Sequence, residues 1–286
     1  MSRYQKIKEY LKIRYLLFVL LFVLVFYGIY GIYYQYMLSN MSEKNKKIYL
    51  KNTSQIKKVP KIIMQTYWDK TLIPQKVYDG IKKHCPDYEH IVYDDNECIN
   101  FLKQNYSKEI VDKFKSIKKG AHKADLFRYC WLYKMGGVYL DIKIVLIKNI
   151  DKIFKDRSKL YTVLSAVTSE NEFLSNLTNV GSVFQGIIST PPNNQIFKSL
   201  IDKIMITSNY KLIFNYMLFT SQFFTEVNKT RIDDRNFEKG YLFREVCNGP
   251  LNEDIKETDK YGLKCSIYDK NDERLFITRY PEYPWK

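Results

Sequence analysis

The chain has 286 residues, of which 45% are hydrophobic and 27% are charged, a composition that excludes disorder over its whole length. Lys and Arg number 46 against 31 Asp and Glu, a formal net charge of +15 that points to nucleic acid, anionic lipid or phosphate-bearing ligands. Much of this charge lies in residues 1–14 and 43–58, on either side of an apolar stretch. Membrane anchoring is therefore favoured over a nucleic-acid groove, and we expect no nucleic-acid partner.

Residues 15–38 are predicted to form a single transmembrane anchor behind a short basic tail of residues 1–14. No charged residue occurs from Tyr15 to Ser42, and a helix from Leu16 to Leu38 would measure roughly 35 Å at about 1.5 Å per residue. The hydrocarbon core of a bilayer is about 30 Å thick. Because no small-residue cleavage site follows, we expect an uncleaved anchor rather than a signal peptide.

The side of the membrane is inferred from Asn-x-Ser/Thr sequons, because basic residues flank both ends of the span. Chance predicts about two sequons, whereas five lie downstream of the span, at Asn40, Asn52, Asn105, Asn176 and Asn228. This excess favours a lumenal C-terminal domain in the Golgi or the endoplasmic reticulum. Five cysteines without a CxxC pair argue against zinc, and a lumen would permit one or two disulfides, with Cys130 as the unpaired thiol.

After a predicted Lys-rich stem of residues 39–58, apolar runs alternate between the periods of strands and of helices. Strands are predicted at residues 61–67, 88–93, 138–147, 161–167 and 184–189, and helices at residues 74–84, 99–114, 118–134 and 194–206. The alternation predicts an α/β domain over residues 59–286 with a largely parallel sheet. The helix at residues 118–134 is apolar on nearly every face and should be buried, ending at Gly136 and Gly137 in a left-handed cap.

The string KADLFRYCWLYKMGGVYLDIK, which follows residue 122, contains the polar side chains best suited to binding. Asp125 and Arg128 lie three residues apart on one helix face. Asp141 lies at the far end of the next predicted strand, with Tyr139 and Lys143 on the same face by the two-residue period. Ligands of open α/β sheets bind beyond the carboxyl ends of strands. The alternative is an ion pair within the helix and a salt bridge at the sheet edge.

This string resembles the signature of glycosyltransferase family 32, the DXD sugar-binding region family of the yeast initiating α-1,6-mannosyltransferase and the inositol-phosphoceramide mannosyltransferases. In that signature K-A-D-x-x-R-Y, L-Y-x-x-G-G and Y-x-D-x-D follow one another, and this chain matches all but the last letter. The earlier run VPKIIMQTY is similar to the family's opening I-P-K-I-I-H-Q-T-W, with Met64 for His and Tyr67 for Trp. The resemblance extends from Val59 to about Gly186.

The resemblance implies a GT-A, Rossmann-like fold that transfers a sugar, mannose from GDP-mannose, to a glycan or to a glycolipid such as an inositol phosphoceramide. It also implies that Tyr67 stacks near the donor base and that Asp125 and Arg128 contact the donor sugar and its ribose or phosphates. Tyr139 belongs to the same donor site. The planar donors of Arg suit phosphate. The alternatives are that Tyr67 belongs to the core and that Arg128 only pairs with Asp125.

By the same resemblance Asp141 is the first carboxylate of D-x-D and a ligand for Mn²⁺ or Mg²⁺. Lys143 stands in place of the second Asp, and an ammonium group cannot bind a metal. Either Lys143 acts on the diphosphate as a catalytic residue beside Asp141, or Asp141 holds a metal with another carboxylate, or the domain does not catalyse. We favour the first. Carboxylates that sequence alone cannot place are Asp94, Asp95, Asp233 and Asp234.

We therefore expect a membrane-anchored glycosyltransferase with one transmembrane helix. The alternative is a degenerate, non-catalytic glycosyltransferase fold that acts as a sugar- or lipid-binding module. A basic protein of the membrane surface would account for the charge but would leave residues 123–141 unexplained.

Overall fold

The computed structural model describes residues 58–166, 181–215, 217–247 and 265–278, together with six residues of the predicted anchor. These six are helical with exposed apolar side chains: Tyr15, Phe18, Leu21, Phe22, Val25 and Ile29. None of the helices in the described part of the chain is both long enough and apolar enough to span a bilayer. The basic tail, the rest of the anchor and the stem up to residue 57 lie outside the described residues.

The described residues contain one ten-stranded sheet that mixes parallel and antiparallel pairs. The strands are β1 (Ile62–Thr66), β2 (Glu89–Tyr93), β3 (Gly137–Leu140), β4 (Val145–Leu146), β5 (Leu160–Leu164), β6 (Val183–Thr190), β7 (Asn236–Phe237), β8 (Gly240–Val246), β9 (Ser266–Tyr268) and β10 (Arg274–Ile277). Their order across the sheet is β2-β1-β3-β6-β5-β8-β9-β10-β4, and β7 pairs with β8. The α/β class is confirmed.

The prediction of a largely parallel sheet is wrong. β2, β1 and β3 run parallel, as do β5 and β8, but β6 is antiparallel to both β3 and β5. The pairings of β4, β7, β9 and β10 that remain are all antiparallel. A parallel pair needs a crossover of a dozen or more residues, whereas only residues 269–273 join β9 to β10. Strand–helix alternation therefore determines strand direction in the first part of the domain alone.

Seven α-helices surround this sheet in the described residues. They are α1 (Gln75–His84), α2 (Asp95–Asn105), α3 (Lys108–Ser116), α4 (Gly120–Met135), α5 (Gln195–Ile206), α6 (Asn209–Phe214) and α7 (Leu218–Asn228). The helices predicted at residues 74–84, 118–134 and 194–206 are confirmed to within two residues. The single helix predicted at residues 99–114 is instead the pair α2 and α3. α2 begins early because Asp94 and Glu97 form a reciprocal capping box.

Helix α4 is buried on nearly all sides, as its sequence predicts, because other helices cover the face that does not contact the sheet. Tyr129 lies 5.9 Å from Phe197 of α5 and 6.0 Å from Phe223 of α7, between ring centroids. This packing takes the charged side chains of α4 into the interior as well. Asp125 and Arg128 are only 8% and 6% exposed.

Two glycines turn the chain from α4 into β3, in the left-handed conformations that the sequence predicts. The φ angles of Gly136 and Gly137 are 67° and 104°. A Cβ on Gly136 would lie 2.6 Å from Cδ of Pro192, and one on Gly137 would lie 2.9 Å from the carbonyl oxygen of Ile62. Glycine therefore allows β3 to enter the sheet beside β1, and β3 leads directly to Asp141.

A disulfide between Cys247 and Cys265 joins the end of β8 to the start of β9. The other cysteines, Cys85, Cys98 and Cys130, are buried thiols. One disulfide and an unpaired Cys130 agree with the expectation from the sequence. Of the five sequons, Asn105 and Asn228 lie at the ends of α2 and α7, whereas those at residues 40, 52 and 176 lie outside the described residues.

Replacing both bridged cysteines, Cys247→Ser with Cys265→Ser, should lower the free energy of unfolding by about 3 kcal/mol. The bridge spans a sequence separation of 18 residues and restricts that loop in the unfolded chain. Urea unfolding of the full chain, followed by tryptophan fluorescence, measures the difference. A reducing agent should destabilise the parent by a similar amount and should leave the double variant unchanged. Equal stability of the parent and the double variant would contradict the prediction.

Candidate functional site

The candidate site lies where the three parallel strands β1, β2 and β3 end. Tyr67, Asp94 and Asp141 directly follow these strands. Because parallel strands have their carboxyl ends at one edge of a sheet, the three residues share that edge. β6 runs antiparallel to β3, so its first residues lie there too. The backbone N–H of Asp141 donates to the carbonyl oxygen of Gly186 at 2.8 Å.

Arg128 of α4 lies at the centre of this site. Its Nη1 donates to the carbonyl oxygen of Gln185 at 2.9 Å and lies 3.4 Å from Oδ1 of Asp125. Its Nη2 lies 3.7 Å from Oδ1 of Asp141, and its guanidinium carbon is 4.3 Å from the centroid of the Tyr139 ring. Burial lowers the pKa of Arg128, but the neighbouring phenol and two carboxylates outweigh that effect and raise the pKa. The single positive charge of Arg128 therefore lies close to two carboxylates, those of Asp125 and Asp141.

Asp141 is held by contacts with its side chain and its backbone. The hydroxyl of Tyr139 donates to Oδ1 of Asp141 at 2.6 Å, and burial raises the pKa of Tyr139, so the phenol keeps its proton. Nε2 of Gln65 donates to the carbonyl oxygen of Asp141 at 3.4 Å. Gly186 leaves room for this carboxylate, because a Cβ at that position would lie only 3.0 Å from Oδ2 of Asp141. The side chain of Asp141 nevertheless remains 24% exposed, so a ligand can reach it.

Two histidines contact the side chains of this arrangement. Nε2 of His90 lies 2.8 Å from Oε1 of Gln65, and burial lowers the pKa of His90 to about 4, so the ring is neutral near pH 7. Nδ1 of His122 lies 3.3 Å from Oδ2 of Asp125, and its Nε2 lies 3.1 Å from the carbonyl oxygen of Leu212. His122 therefore links helix α6 to Asp125.

Several polar residues of the site are not identified by the sequence analysis. They are Gln65, His90, His122 and Gln185. Gln65 has a sequence signal, because it is a polar residue inside the apolar strand of the opening VPKIIMQTY. Gln185 accepts from the hydroxyl of Tyr129 at 2.5 Å through Oε1, and strand pairing alone brings it there. Local sequence carries no comparable signal for Gln185.

Tyr67, the predicted base-stacking residue, is half-buried and packs against Ile73, Val77 and Ile142. Tyr67 therefore makes the contacts of a core residue, as the alternative to base stacking expects. The next residue, Trp68, is 61% exposed, and its ring centroid lies 6.1 Å from that of Tyr67. Since a base needs an accessible aromatic face, Trp68 is the aromatic residue better placed to receive one.

The strand predicted at residues 138–147 is interrupted, which removes one argument about Lys143. β3 ends at Leu140, and the N–H of Ile144 donates to the carbonyl oxygen of Asp141 at 3.0 Å, so a tight turn separates β3 from β4. Side chains alternate between faces in a strand but not in a turn. The prediction that Lys143 lies on the same strand face as Asp141 and Tyr139 is therefore wrong, because Lys143 lies in a turn and not in a strand. Lys143 is half-buried within this turn.

The carboxylates considered as substitute metal ligands have other partners or lie elsewhere. They are Asp94, Asp95, Asp233 and Asp234. Asp94 caps α2, and Oδ2 of Asp95 lies 2.9 Å from Nζ of Lys123. The last two belong to a turn before β7, where Oδ1 of Asp233 accepts from the N–H of Asn236 at 2.7 Å. Within the described residues, one group alone has a metal-ligand arrangement, Glu245 with Cys247 and Cys265, and its cysteines form the disulfide.

The guanidinium of Arg128 lies between Asp125 and Asp141, so it occupies the position where a metal ion shared by these two carboxylates would lie. The described residues around Asp141 therefore do not fit a metal held by two protein carboxylates.

Residues 74–159 match the family model described as a glycosyltransferase sugar-binding region containing a DXD motif. This segment of the chain is therefore similar to that glycosyltransferase family. The family resemblance read from the sequence is thereby confirmed, and the matched residues include Asp125, Arg128, Asp141 and Lys143.

Three relatives illustrate the extent of the similarity. This chain is 34% identical over 113 residues to inositol phosphoceramide mannosyltransferase 3 of Schizosaccharomyces pombe, covering 38% of this chain and 30% of that protein. It is 25% identical over 198 residues to an uncharacterized glycosyltransferase of Acanthamoeba polyphaga mimivirus, covering 69% and 68%. It is 39% identical over 69 residues to the initiation-specific alpha-1,6-mannosyltransferase of Candida albicans, covering 23% and 18%. The match thus spans under a third of either mannosyltransferase.

Proposed function

We propose that this chain is a membrane-anchored glycosyltransferase with a GT-A-like fold that transfers mannose from a nucleotide-sugar donor, GDP-mannose, to a glycan or glycolipid acceptor. The observation that carries the proposal is the cluster of Asp125, Arg128, Tyr139 and Asp141 at the carboxyl edge of three parallel strands. Mannose is supported by two relatives named as mannosyltransferases. A glycolipid acceptor is supported by the name of the Schizosaccharomyces pombe relative.

We further propose a lumenal catalytic domain in the Golgi or the endoplasmic reticulum, anchored by residues 15–38. The uncharged apolar run supports the anchor, as do its helical residues with exposed apolar side chains. The excess of sequons supports the lumenal side. Protease protection in sealed microsomes tests this topology, and digestion of the C-terminal domain would contradict it.

In the proposed mechanism Asp141 meets the donor, because its side chain is partly exposed at the sheet edge. Tyr139 and Arg128 fix the direction of its carboxylate. Arg128 is a positioning residue rather than a phosphate ligand, since its side chain is 7% exposed and its terminal nitrogens face protein oxygens. This role differs from the direct donor contact that the family resemblance implies.

Two further groups complete the proposed donor site. Two carboxylates share one guanidinium, so a cation near the departing diphosphate would be electrostatically favourable. Lys143, in the turn that begins at Asp141, is proposed to supply that charge. The exposed Trp68 is proposed to stack on the base of the nucleotide, an interaction that contributes about 1–3 kcal/mol in nucleic-acid sites.

Sugar-nucleotide turnover by the purified full chain tests the proposed function. A panel of donors, with and without an acceptor and with and without Mn²⁺, should show turnover that is highest with GDP-mannose. Donor binding by calorimetry without turnover of any donor would instead establish the non-catalytic sugar-binding module. That second function is favoured by one observation, the absence of a paired carboxylate for Asp141 in the described residues.

If Lys143 supplies the charge, turnover should persist in a chelator, and Lys143→Ala should lower kcat by about 10²-fold, as loss of one electrostatic stabiliser does. Lys143→Asp rebuilds D-x-D and should acquire a dependence on Mn²⁺ that the parent lacks. Steady-state kinetics with and without EDTA measures both effects. The matched control is Lys152→Ala, an exposed lysine of the same part of the chain, which should leave kcat unchanged. A parent enzyme silenced by EDTA and restored by Mn²⁺ would contradict this role for Lys143.

A further inference from the structure

A surface outside the candidate site combines lysines with exposed apolar side chains. It is formed by the end of α3, the loop before α4, helix α6 and the start of α7, and is here called the basic face. Its two stretches of sequence, residues 113–124 and 207–220, contain six lysines and no Asp or Glu. Tyr210 is 71% exposed on this face, and Ile213 and Met217 are exposed as well.

Of the six lysines of the basic face, Lys123 is ion-paired with Asp95, 2.9 Å away, and Lys211 lies in α6. The other four fall into two groups. In the first, Lys113 donates to the carbonyl oxygen of Thr207, and Lys119 donates to that of Ile213 at 2.6 Å, so both hold α6 in place. In the second, Lys115 and Lys118 have exposed side chains and form no ion pair with any described residue. The second group is therefore available to an external anion.

A cavity of about 250 Å³ opens between these elements. Lys118 and Lys119 line it together with Asn209, Tyr210 and Ile213, and no carboxylate contributes to its wall. Positive charge, polar hydrogen-bond donors and apolar side chains thus meet in a space that can accommodate a small anionic group with an apolar neighbour.

We propose that the basic face binds the surface of a lipid bilayer that carries anionic headgroups. Lys115 and Lys118 would contact headgroup phosphates, while Tyr210, Ile213 and Met217 enter the boundary between headgroups and acyl chains. Lysines near an anionic membrane each strengthen attraction to it, and aromatic residues are enriched at that boundary. A bilayer fits better than a protein partner, because protein interfaces are depleted in Lys.

Docking of the basic face would have a consequence for the candidate site. Helix α6 contributes the carbonyl oxygen of Leu212 to His122, which in turn contacts Asp125. The face that meets the bilayer is therefore joined to the proposed donor site by two contacts. The inference goes beyond the proposed glycosyl transfer and does not require it.

A polarity-sensitive fluorophore on Tyr210→Cys tests the proposal in the purified full chain. The thiols of Cys85, Cys98 and Cys130 are buried, so labelling is selective for the new one. With vesicles of phosphatidylcholine and phosphatidylserine the emission should shift to the blue, with phosphatidylcholine alone it should shift much less, and high salt should reverse the shift. The same label on Ile232→Cys, an equally exposed position on another loop, should not respond.

The lysine dependence is decisive. Adding Lys115→Gln and Lys118→Gln to the labelled chain should lower the ratio of docked to undocked protein by about 25-fold, roughly fivefold for each lysine. An equal response to vesicles without anionic lipid, or a response unchanged by the two substitutions, overturns the proposal. A shift with inorganic phosphate alone would mean that the cavity binds a free anion, and one with an acidic peptide alone would indicate a protein partner. Either result also overturns it.

The two failures can be told apart. Lys115 and Lys118 are outside the proposed donor site, so turnover of a sugar nucleotide in detergent should be the same with and without their substitutions. Absence of a lipid response in the chain with both lysines intact, together with normal turnover, would contradict the docking surface alone. Absence of turnover in a chain that still docks would contradict the proposed function alone.

Discussion

Asp141→Asn should reduce sugar transfer by about 10²–10³-fold, the usual effect of removing one preorganised electrostatic group. Asn has nearly the same shape and can still accept the Tyr139 hydroxyl bond, so the turn after β3 should keep its conformation. The negative charge that faces Arg128 and the proposed donor is lost. Steady-state kcat/KM, with donor affinity from calorimetry, separates a loss of chemistry from a loss of binding.

The control for Asp141→Asn is Asp202→Asn, which removes an ion-paired carboxylate from helix α5 instead. Its turnover should equal that of the parent, because Asp202 pairs with Lys198 of the same helix and is not part of the candidate site. Full activity in folded Asp141→Asn would remove Asp141 from the donor site. Because Asn and Asp have nearly the same shape, a large loss of activity in Asp141→Asn could not be ascribed to misfolding.

The features that the sequence predicts well depend on neighbouring residues. Helix α4 is recognisable as buried because apolar residues occur on all its faces, and its end is recognisable from Gly136 and Gly137. Asp125 and Arg128 are three residues apart, so their shared face follows from helix geometry alone. The family signature is also a contiguous string. These relations between neighbouring residues do not depend on the rest of the fold.

The features that the sequence does not predict depend on distant residues. Gln185 is 57 positions from Arg128 in the sequence, and only the antiparallel pairing of β3 with β6 brings its carbonyl to the guanidinium. The burial of Arg128 and its contact with Asp141 also arise from the tertiary fold. Strand direction beyond β3 likewise depends on connections whose lengths and courses the periodicity does not reveal.

The position of Lys143 illustrates how a local error affects a functional argument. A continuous strand would place it on the face of Asp141, but the hydrogen bond from Ile144 to Asp141 forms a turn. The proposed role of Lys143 therefore rests on its closeness to Asp141 in that turn and no longer on alternation. The kinetic test of Lys143→Asp is for this reason more informative than any argument from spacing.

Arg128→Met should lower the free energy of unfolding by about 3–5 kcal/mol, the usual cost of removing one partner from a buried ion pair. Asp125 would be left buried without its guanidinium, and the carbonyl of Gln185 would lose a donor. Stacking on Tyr139 would be lost as well. Urea unfolding of the full chain measures the change, and the control is Lys82→Met, an exposed lysine of α1, with an expected change below about 1 kcal/mol.

Two companion variants separate charge from geometry at this position. Asp125→Asn combined with Arg128→Met should regain part of the lost stability, because the unpaired buried carboxylate is then neutral. Arg128→Lys keeps the charge but loses the planar fork that reaches Gln185, Asp125 and Asp141 together, so it should destabilise less than Met yet weaken donor binding through a misdirected Asp141. Unchanged donor affinity in folded Arg128→Lys would limit Arg128 to stabilising the fold. A donor affinity that falls while stability is nearly retained would establish Arg128 as the residue that orients Asp141.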